Sequence, residues 1–254
     1  MNFNMRELMK MGAHIGHRTR YWSPAMKPFI YGVQNSHHIV NLEHTIERLA
    51  AAYDFCKQIA ANQGTILFVC TKKAAKEAIE QEARRCDMPY VNSRWLGGIL
   101  TNFKTIRNSV SKLEMIEKNI SEGILKEMTK KEATKYVSIR EKLETNFGGI
   151  REMTQTPDAL FVIDAGHHRA ALLEAFKLEI PVVAVVDTNH SPENIDYVIP
   201  GNDDSKALIR YYTRTISEAA IEGREEGVRN LQSELAEQKE GISADPAADE
   251  SEDG

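Results

Sequence analysis

Cysteine is scarce in this chain, and the little there is does not pair. Cys56, Cys70 and Cys86 are odd in number and far apart, which excludes a disulfide framework and a paired-cysteine zinc motif. Three buried, reduced thiols are expected. Long apolar runs are missing as well: stretches such as 159–163 and 180–186 fall far short of the roughly 20 residues that cross a bilayer. Met1–Met11 carries Arg6, Glu7 and Lys10 and lacks the apolar core of a signal peptide, so the protein is expected to stay where it is made. Glycine is absent where a nucleotide enzyme needs it. The apolar run Thr65–Cys70 leads into Thr71-Lys72-Lys73-Ala74, with no Gly-x-Gly-x-x-Gly and no phosphate-loop glycines before the lysines.

What is present is an uneven distribution of charge. Residues 1–150 carry 23 Lys+Arg against 15 Asp+Glu, a net +8, whereas residues 151–231 carry 8 against 14 and the remainder adds −7. The overall −5 therefore hides a basic amino-terminal half, the asymmetry expected of a protein that meets a polyanion on one face.

Apolar β-rich runs alternate with helical periodicity: Thr65–Cys70 then Lys73–Cys86, Ala159–Asp164 then His167–Leu178, Val182–Asp187, and Tyr197–Pro200 then Ser205–Gly223. That alternation predicts an α/β fold in which helices cover a parallel sheet. The runs Ile66-Leu67-Phe68-Val69 and Val182–Val186 are continuous, as strands covered on both faces should be. Between residues 102 and 149 the texture changes. Ile106, Val110, Leu113, Ile116 and Ile120 recur at steps of three or four, as do Met128, Tyr136, Ile139, Leu143 and Phe147. Ser121-Glu122-Gly123 separates the two stripes, and Thr129 with Glu132 forms a capping box, so an inserted antiparallel helical hairpin is predicted. Its outer lysines, among them Lys112, Lys126 and Lys130, interleave with glutamates such as Glu127, which describes a solvated helix pair. The expected division is a sheet domain over 1–101 and 150–230, the hairpin over 102–149, and a disordered acidic tail over 231–254, whose composition cannot bury enough apolar surface to order itself.

Three segments could carry chemistry. Asn92 to Lys104, containing Arg94-Trp95-Leu96-Gly97-Gly98, joins a guanidinium, an indole and a glycine pair at the end of the short predicted strand Tyr90–Asn92. It holds no nucleophile, base or metal cluster, so it suits docking better than reaction, with Arg94 and Lys104 on phosphate and Asn102 in the same surface. Gly12 to Trp22 brings Arg18, Arg20, Tyr21 and Trp22 together, which fits phosphate contact plus stacking on a base. Its histidines, His14 and His17, lack a third metal ligand nearby in sequence. At strand ends on the acidic side, Asp164, Asp187, Asp203 and Asp204 are read in two ways. Asp187, Asp203 and Asp204 are candidate ligands for a divalent ion, Zn2+ or Mg2+. Against this, Asp203 and Asp204 precede a predicted helix and would cap it. No cofactor is required on either reading.

Taken in order, Gly12-Ala13-His14-Ile15-Gly16-His17, Trp22-Ser23-Pro24-Ala25-Met26, Arg94-Trp95-Leu96-Gly97-Gly98-Ile99-Leu100-Thr101-Asn102-Phe103, Asp187-Thr188-Asn189 and Ile199-Pro200-Gly201-Asn202-Asp203-Asp204 resemble the bacterial small-subunit ribosomal protein S2 family. Cys70 and His190-Ser191-Pro192 depart from that pattern, and His167 and His168 replace a more usual lysine-bearing stretch. The resemblance implies a flavodoxin-like (Rossmann-like) sheet domain with a protruding coiled-coil hairpin, bound to small-subunit ribosomal RNA between head and body, in the cytoplasm and without catalysis. It also implies a role in recruiting the large messenger-binding ribosomal protein S1, and contact with other small-subunit proteins. No membrane partner and no small-molecule substrate are implied. The leading expectation is a structural RNA-binding protein in which Arg18, Arg20, Lys72, Lys73, Arg94 and Lys104 neutralise phosphates while Tyr21 and Trp22 stack. Two other classes compete: a doubly wound enzyme with Lys72 or Lys73 on a phosphorylated substrate and an aspartate as base, resting on fold analogy alone, and a protein-interaction scaffold built on the hairpin.

Overall fold

Asn4 caps the first helix, α1 (Met5–Lys10), by accepting a hydrogen bond from the Arg6 N–H. The computed structural model describes residues 3–123 and 129–243, with side chains as far as residue 233. Strands β1 (Ile15–Arg18), β2 (Ile30–Gln34) and β3 (His37–Val40) form a small antiparallel sheet in the order β1-β3-β2. Asn35 and Ser36, at φ 47° and 62°, make the two-residue turn whose left-handed backbone matches hairpin twist. This sheet was not legible in the sequence, where Gly12 to Trp22 reads as a loop or helix start. It is fastened to the main body by Thr188, which accepts from the His17 N–H through Oγ1 at 2.9 Å and from the Ser23 N–H through its carbonyl at 2.8 Å. Gly16 permits that approach, since a Cβ there would lie 2.7 Å from the Thr188 side chain.

The helix α2 (Leu42–Ala61) starts at Asn41, whose side chain accepts from the Glu43 N–H, and buries Leu42, Thr45, Leu49, Ala52, Cys56 and Ala60 on one stripe. There follow β4 (Ile66–Val69), α3 (Lys76–Arg85), β5 (Tyr90–Val91), α4 (Phe103–Ser121), α5 (Lys130–Phe147), β6 (Ala159–Ile163), α6 (Arg169–Lys177), β7 (Val182–Val186), β8 (Tyr197–Pro200) and α7 (Lys206–Ser243). The main sheet runs β5-β4-β6-β7-β8 with every pair parallel. Counted among its own five strands this is second, first, third, fourth, fifth, the flavodoxin-like doubly wound order.

Alternate residues feed two cores. Ile66, Phe68, Phe161, Val183 and Val185 point to the side covered by α1, α2, α3 and α7, while Leu67, Val69, Leu160, Val162 and Ala184 meet Ile99, Leu100, Ile106 and α6. The continuous apolar runs are thus explained by cover on both faces. All three cysteines are buried free thiols.

Helices α4 and α5 lie side by side. Asn119 Nδ2 donates to the Tyr136 hydroxyl at 3.0 Å, Arg140 donates to Glu117, and the Arg107 guanidinium donates to the Arg151 carbonyl, so late α4 faces early α5 and early α4 the segment after α5. The Thr129–Glu132 capping box is present, and Gly123 (φ 81°) follows the end of α4. Ile106, Val110, Leu113 and Ile116 are buried, but on α5 only Phe147 is. A helix with one neighbour covers its apolar stripe only in part. Lys126, Glu127 and Met128 lie outside the described residues.

The last helix differs from expectation. It passes Gly223, where the helical run read from the sequence ends, and continues beyond 231 to Ser243, because Glu, Ala, Leu, Gln and Lys all favour helix. Gly223 and Gly227 are contact points: a Cβ on either would lie 2.2 Å from the carbonyl oxygen of Lys57 or Ala61 on α2. Residues 244–254, the rest of the predicted tail, lie outside the described residues.

Candidate functional site

Because the five main strands are parallel, their carboxyl ends share one edge, and each contributes a loop there. Lys72 follows β4, Arg94 follows β5, Asp164 follows β6, Asp187 follows β7 and Asp203 follows β8. This edge is where doubly wound sheets bind ligands. The small sheet borders it, and Arg18, Tyr21, His17, His37, Asp187 and Asp204 line an open cleft of about 380 Å³.

Lys72 does not face that cleft as a free cation. Its Nζ lies 2.6 Å from Asp203 Oδ1, 2.7 Å from Asp204 Oδ1, 3.2 Å from Asp164 Oδ2, and donates to the Asp203 carbonyl at 2.9 Å. Burial opposes the charge on Lys72, but Asp203, Asp204 and Asp164 outweigh it and hold its pKa above the ordinary lysine value. Burial and the neighbouring Asp164 and Asp187 push the Asp203 carboxyl up to about 7, against the pull of Lys72. A carboxyl titrating there suits acid-base work, yet one of its oxygens is already held by the ammonium.

The candidate metal ligands gather in this cluster, though not as one trio. Asp187 Oδ2 meets His17 Nδ1 at 3.0 Å, and Asp204 Oδ2 stands 3.5 Å from His17 Nε2. The hydrogen bond that Asp187 accepts raises the His17 pKa despite partial burial. Asp203 turns instead toward Lys72, Asp164 and His190. The two carboxylates expected to cap α7 are thus both engaged by Lys72, and Ser205 stands next to the helix. His190 Nε2 lies 3.5 Å from Asp164 Oδ1, and burial lowers its pKa. His168, at the start of α6, is buried, and its Nε2 accepts from the Thr71 N–H at 3.2 Å. Burial pulls its pKa down to about 4, so it orients the Lys72 loop as a neutral ring.

The second basic element, Arg94 to Lys104, is shaped by a residue that sequence reasoning missed. Glu174 on α6 accepts from Trp95 Nε1 (3.1 Å) and the Gly98 N–H (2.8 Å) through Oε1. Its Oε2 takes the Leu100 N–H (3.0 Å), the Thr101 N–H and the Thr101 hydroxyl (both 3.2 Å). Burial alone would raise the Glu174 pKa, but these donors lower it. The signal was there: Glu174 falls on the inward stripe Ala171, Leu172, Ala175, and a carboxylate is rarely buried without partners. Gly98 takes φ 90°, which only glycine adopts freely. With Ile99 and Leu100 buried and Trp95 tied to Glu174, Arg94 is turned outward, and Asn102 and Lys104 are exposed at the start of α4.

The other expected RNA-facing groups are also at the surface. Arg18, Arg20, Tyr21, Trp22 and Lys73 are exposed. Arg20 lies over the Tyr21 ring at 4.4 Å, and Trp22 packs on His38 with centroids 5.1 Å apart. Among the described residues, the ion pairs formed include none from Arg18, Arg20, Lys73, Arg94 or Lys104. A larger cleft of about 580 Å³, lined by Arg84, Tyr90, Glu144 and Arg151, opens at the amino ends of β4 and β5, away from this edge. Compared with known families, residues 8–223 match the model described as Ribosomal protein S2.

Proposed function

Because the chain belongs to the ribosomal protein S2 family, whose members are structural proteins of the small ribosomal subunit and not enzymes, we propose that it is held between head and body by small-subunit ribosomal RNA. Ribosomal RNA and other ribosomal proteins are the partners that family membership implies. In this reading Arg18, Arg20, Lys73, Arg94 and Lys104 neutralise phosphates, Asn102 hydrogen-bonds at the same surface, and Tyr21 and Trp22 stack on bases or sugars. The observation that carries it is the contrast among the basic groups: these five are exposed without a carboxylate partner among the described residues, whereas Lys72 is enclosed by three. Lys72 therefore joins the RNA contacts only by leaving those carboxylates, and its contribution is the smallest of the six.

The helices α4 and α5 act as a coiled-coil arm, and the bound protein helps recruit the messenger-binding protein S1 to the cytoplasmic ribosome. The sheet contributes shape and no turnover. Filter binding of the full chain to small-subunit RNA over a salt series tests this reading. Affinity falls steeply with salt, and Arg18→Ala reduces the slope of log K against log salt by about one. Binding that is indifferent to salt, or a slope unchanged in Arg18→Ala and in Arg94→Ala, would contradict it.

A further inference from the structure

We infer that the outward face of α6 is a docking site for an acidic amphipathic helix of a neighbouring protein in the small subunit, an inference that rests on the ribosomal placement proposed above. The helix is built inside out. Of its nine residues only Arg169, Glu174 and Lys177 are charged, and the one carboxylate points inward, to the loop from Trp95 to Thr101. Large apolar side chains point the other way. Leu173 is 43% exposed and Phe176 63%, and Leu178, just past the helix end, is 41% exposed. Ala171, Leu172 and Ala175 already supply the buried stripe, so packing on the sheet does not call for the outer pair. A helix that is apolar on nearly every side belongs under cover on every side, and neighbouring exposed apolar residues mark an interface.

Two cations on the same face set the charge of the partner. Residues four apart share a helix face, so Arg169, Leu173 and Lys177 form a line, with the two charges about 12 Å apart along the axis at roughly 1.5 Å per residue. Both cations are exposed, and neither forms an ion pair among the described residues. Lys177 stands in the last turn, where the helix dipole favours a cation. Arg169 stands in the first turn, where the dipole opposes it, so an anion from outside is what stabilises it there.

An amphipathic helix laid along α6 covers Leu173 and Phe176 with its apolar stripe and sets a carboxylate against each cation, two turns apart. Ribosomal RNA fits this face less well, because it leaves Leu173 and Leu178 against a polyanion and finds only the Phe176 ring to stack on. A second copy of the chain also fits less well: the two-fold axis that pairs Leu173 with itself sets Arg169 against Lys177 across the interface.

The test places the photoreactive p-benzoylphenylalanine at Phe176 in the full chain, isolates small subunits by sedimentation, irradiates them and identifies the joined peptide by mass spectrometry. The expected product is one protein segment of helical periodicity, with aspartate or glutamate bordering its apolar stripe. Arg169→Glu combined with Lys177→Glu lowers the yield at least fivefold, while Arg169→Lys keeps it. These positions are all exposed, so the fold survives the changes, which circular dichroism checks. A join to ribosomal RNA, to a second copy of the chain or to a basic segment overturns the inference, as does a yield that charge reversal leaves unchanged, or no join at all. A chain absent from small subunits overturns the ribosomal reading together with this one, and sedimentation reports that before any irradiation.

Discussion

Glu174 has almost no freedom left, since both of its oxygens are occupied by donors from one loop. Its removal leaves the buried Leu100 N–H and the partly buried Gly98 and Thr101 N–H groups and Trp95 indole without that acceptor, and a donor left unpaired away from water costs more than the bond it made. Glu174→Ala is therefore expected to destabilise the protein by about 2–4 kcal/mol in urea denaturation. Glu174→Gln should rescue little, because the amide turns a donor toward one half of the loop; full stability in the Gln variant would show that packing alone matters. His168 supplies a pH dependence. The folded ring titrates near 4 and the unfolded ring near its ordinary value, so between them the unfolded chain binds the extra proton. Stability contributed by His168 is complete above about pH 6.5 and is lost as the pH falls toward 4, by at most about 3 kcal/mol. His168→Gln, which keeps an acceptor for Thr71, should flatten that slope in denaturation curves at stepped pH. At this scale the sequence was least legible. Lys72 and Lys73 are adjacent and alike in sequence, yet one is enclosed by aspartates from two distant loops and the other is exposed. Only the fold brings residues 72, 164 and 203 together.

Elements were more legible than residues wherever a local rule acted alone. β4, β6 and β7 follow from uninterrupted apolar runs, and α5 starts where its capping box says. The small antiparallel sheet was missed because its strands are short, rich in histidine and only partly buried. Its clearest signal, Asn35-Ser36 between β-compatible runs, is a weaker turn pair than Asn-Gly. The end of α7 was misread for a different reason. Glycine late in a helical pattern suggests a stop, but Gly223 instead gives α2 room to approach. Two effects compete at that position. Alanine gains about 1 kcal/mol in helix propensity, whereas a Cβ forced to 2.2 Å from the Lys57 carbonyl costs about 1–3 kcal/mol in overpacking. Gly223→Ala is expected to lower the midpoint of thermal unfolding, and a higher midpoint would show that α2 and α7 can separate freely.

Across the whole molecule, the division of charge by sequence becomes a division by place. The basic amino-terminal half supplies the small sheet, the Lys72 loop and the Arg94 loop, while the acidic half contributes the aspartates at the carboxyl ends of β6 and β7 and after β8. Asp164, Asp203 and Asp204 hold Lys72, and Asp187 and Asp204 stand beside Arg18 in the cleft; under the proposed function phosphate is drawn to the exposed basic groups around the edge and repelled from its centre. The mildly acidic total conceals this pattern, since long-range charge reports little about a surface where groups lie within a Debye length of roughly 8 Å. No helix of the described residues is long and apolar enough to cross a membrane. The central claim is that exposed basic groups on the small sheet and at the carboxyl edge of the main sheet meet ribosomal RNA. The most direct measurement is a residue-resolved protein–RNA crosslinking map of small subunits containing this chain. Crosslinks are predicted at Arg18 to Trp22, Lys73, Arg94 and Lys104, with few at Lys72. Crosslinks confined to α6 and α7, with those basic groups still open to solvent reagents, would contradict the account.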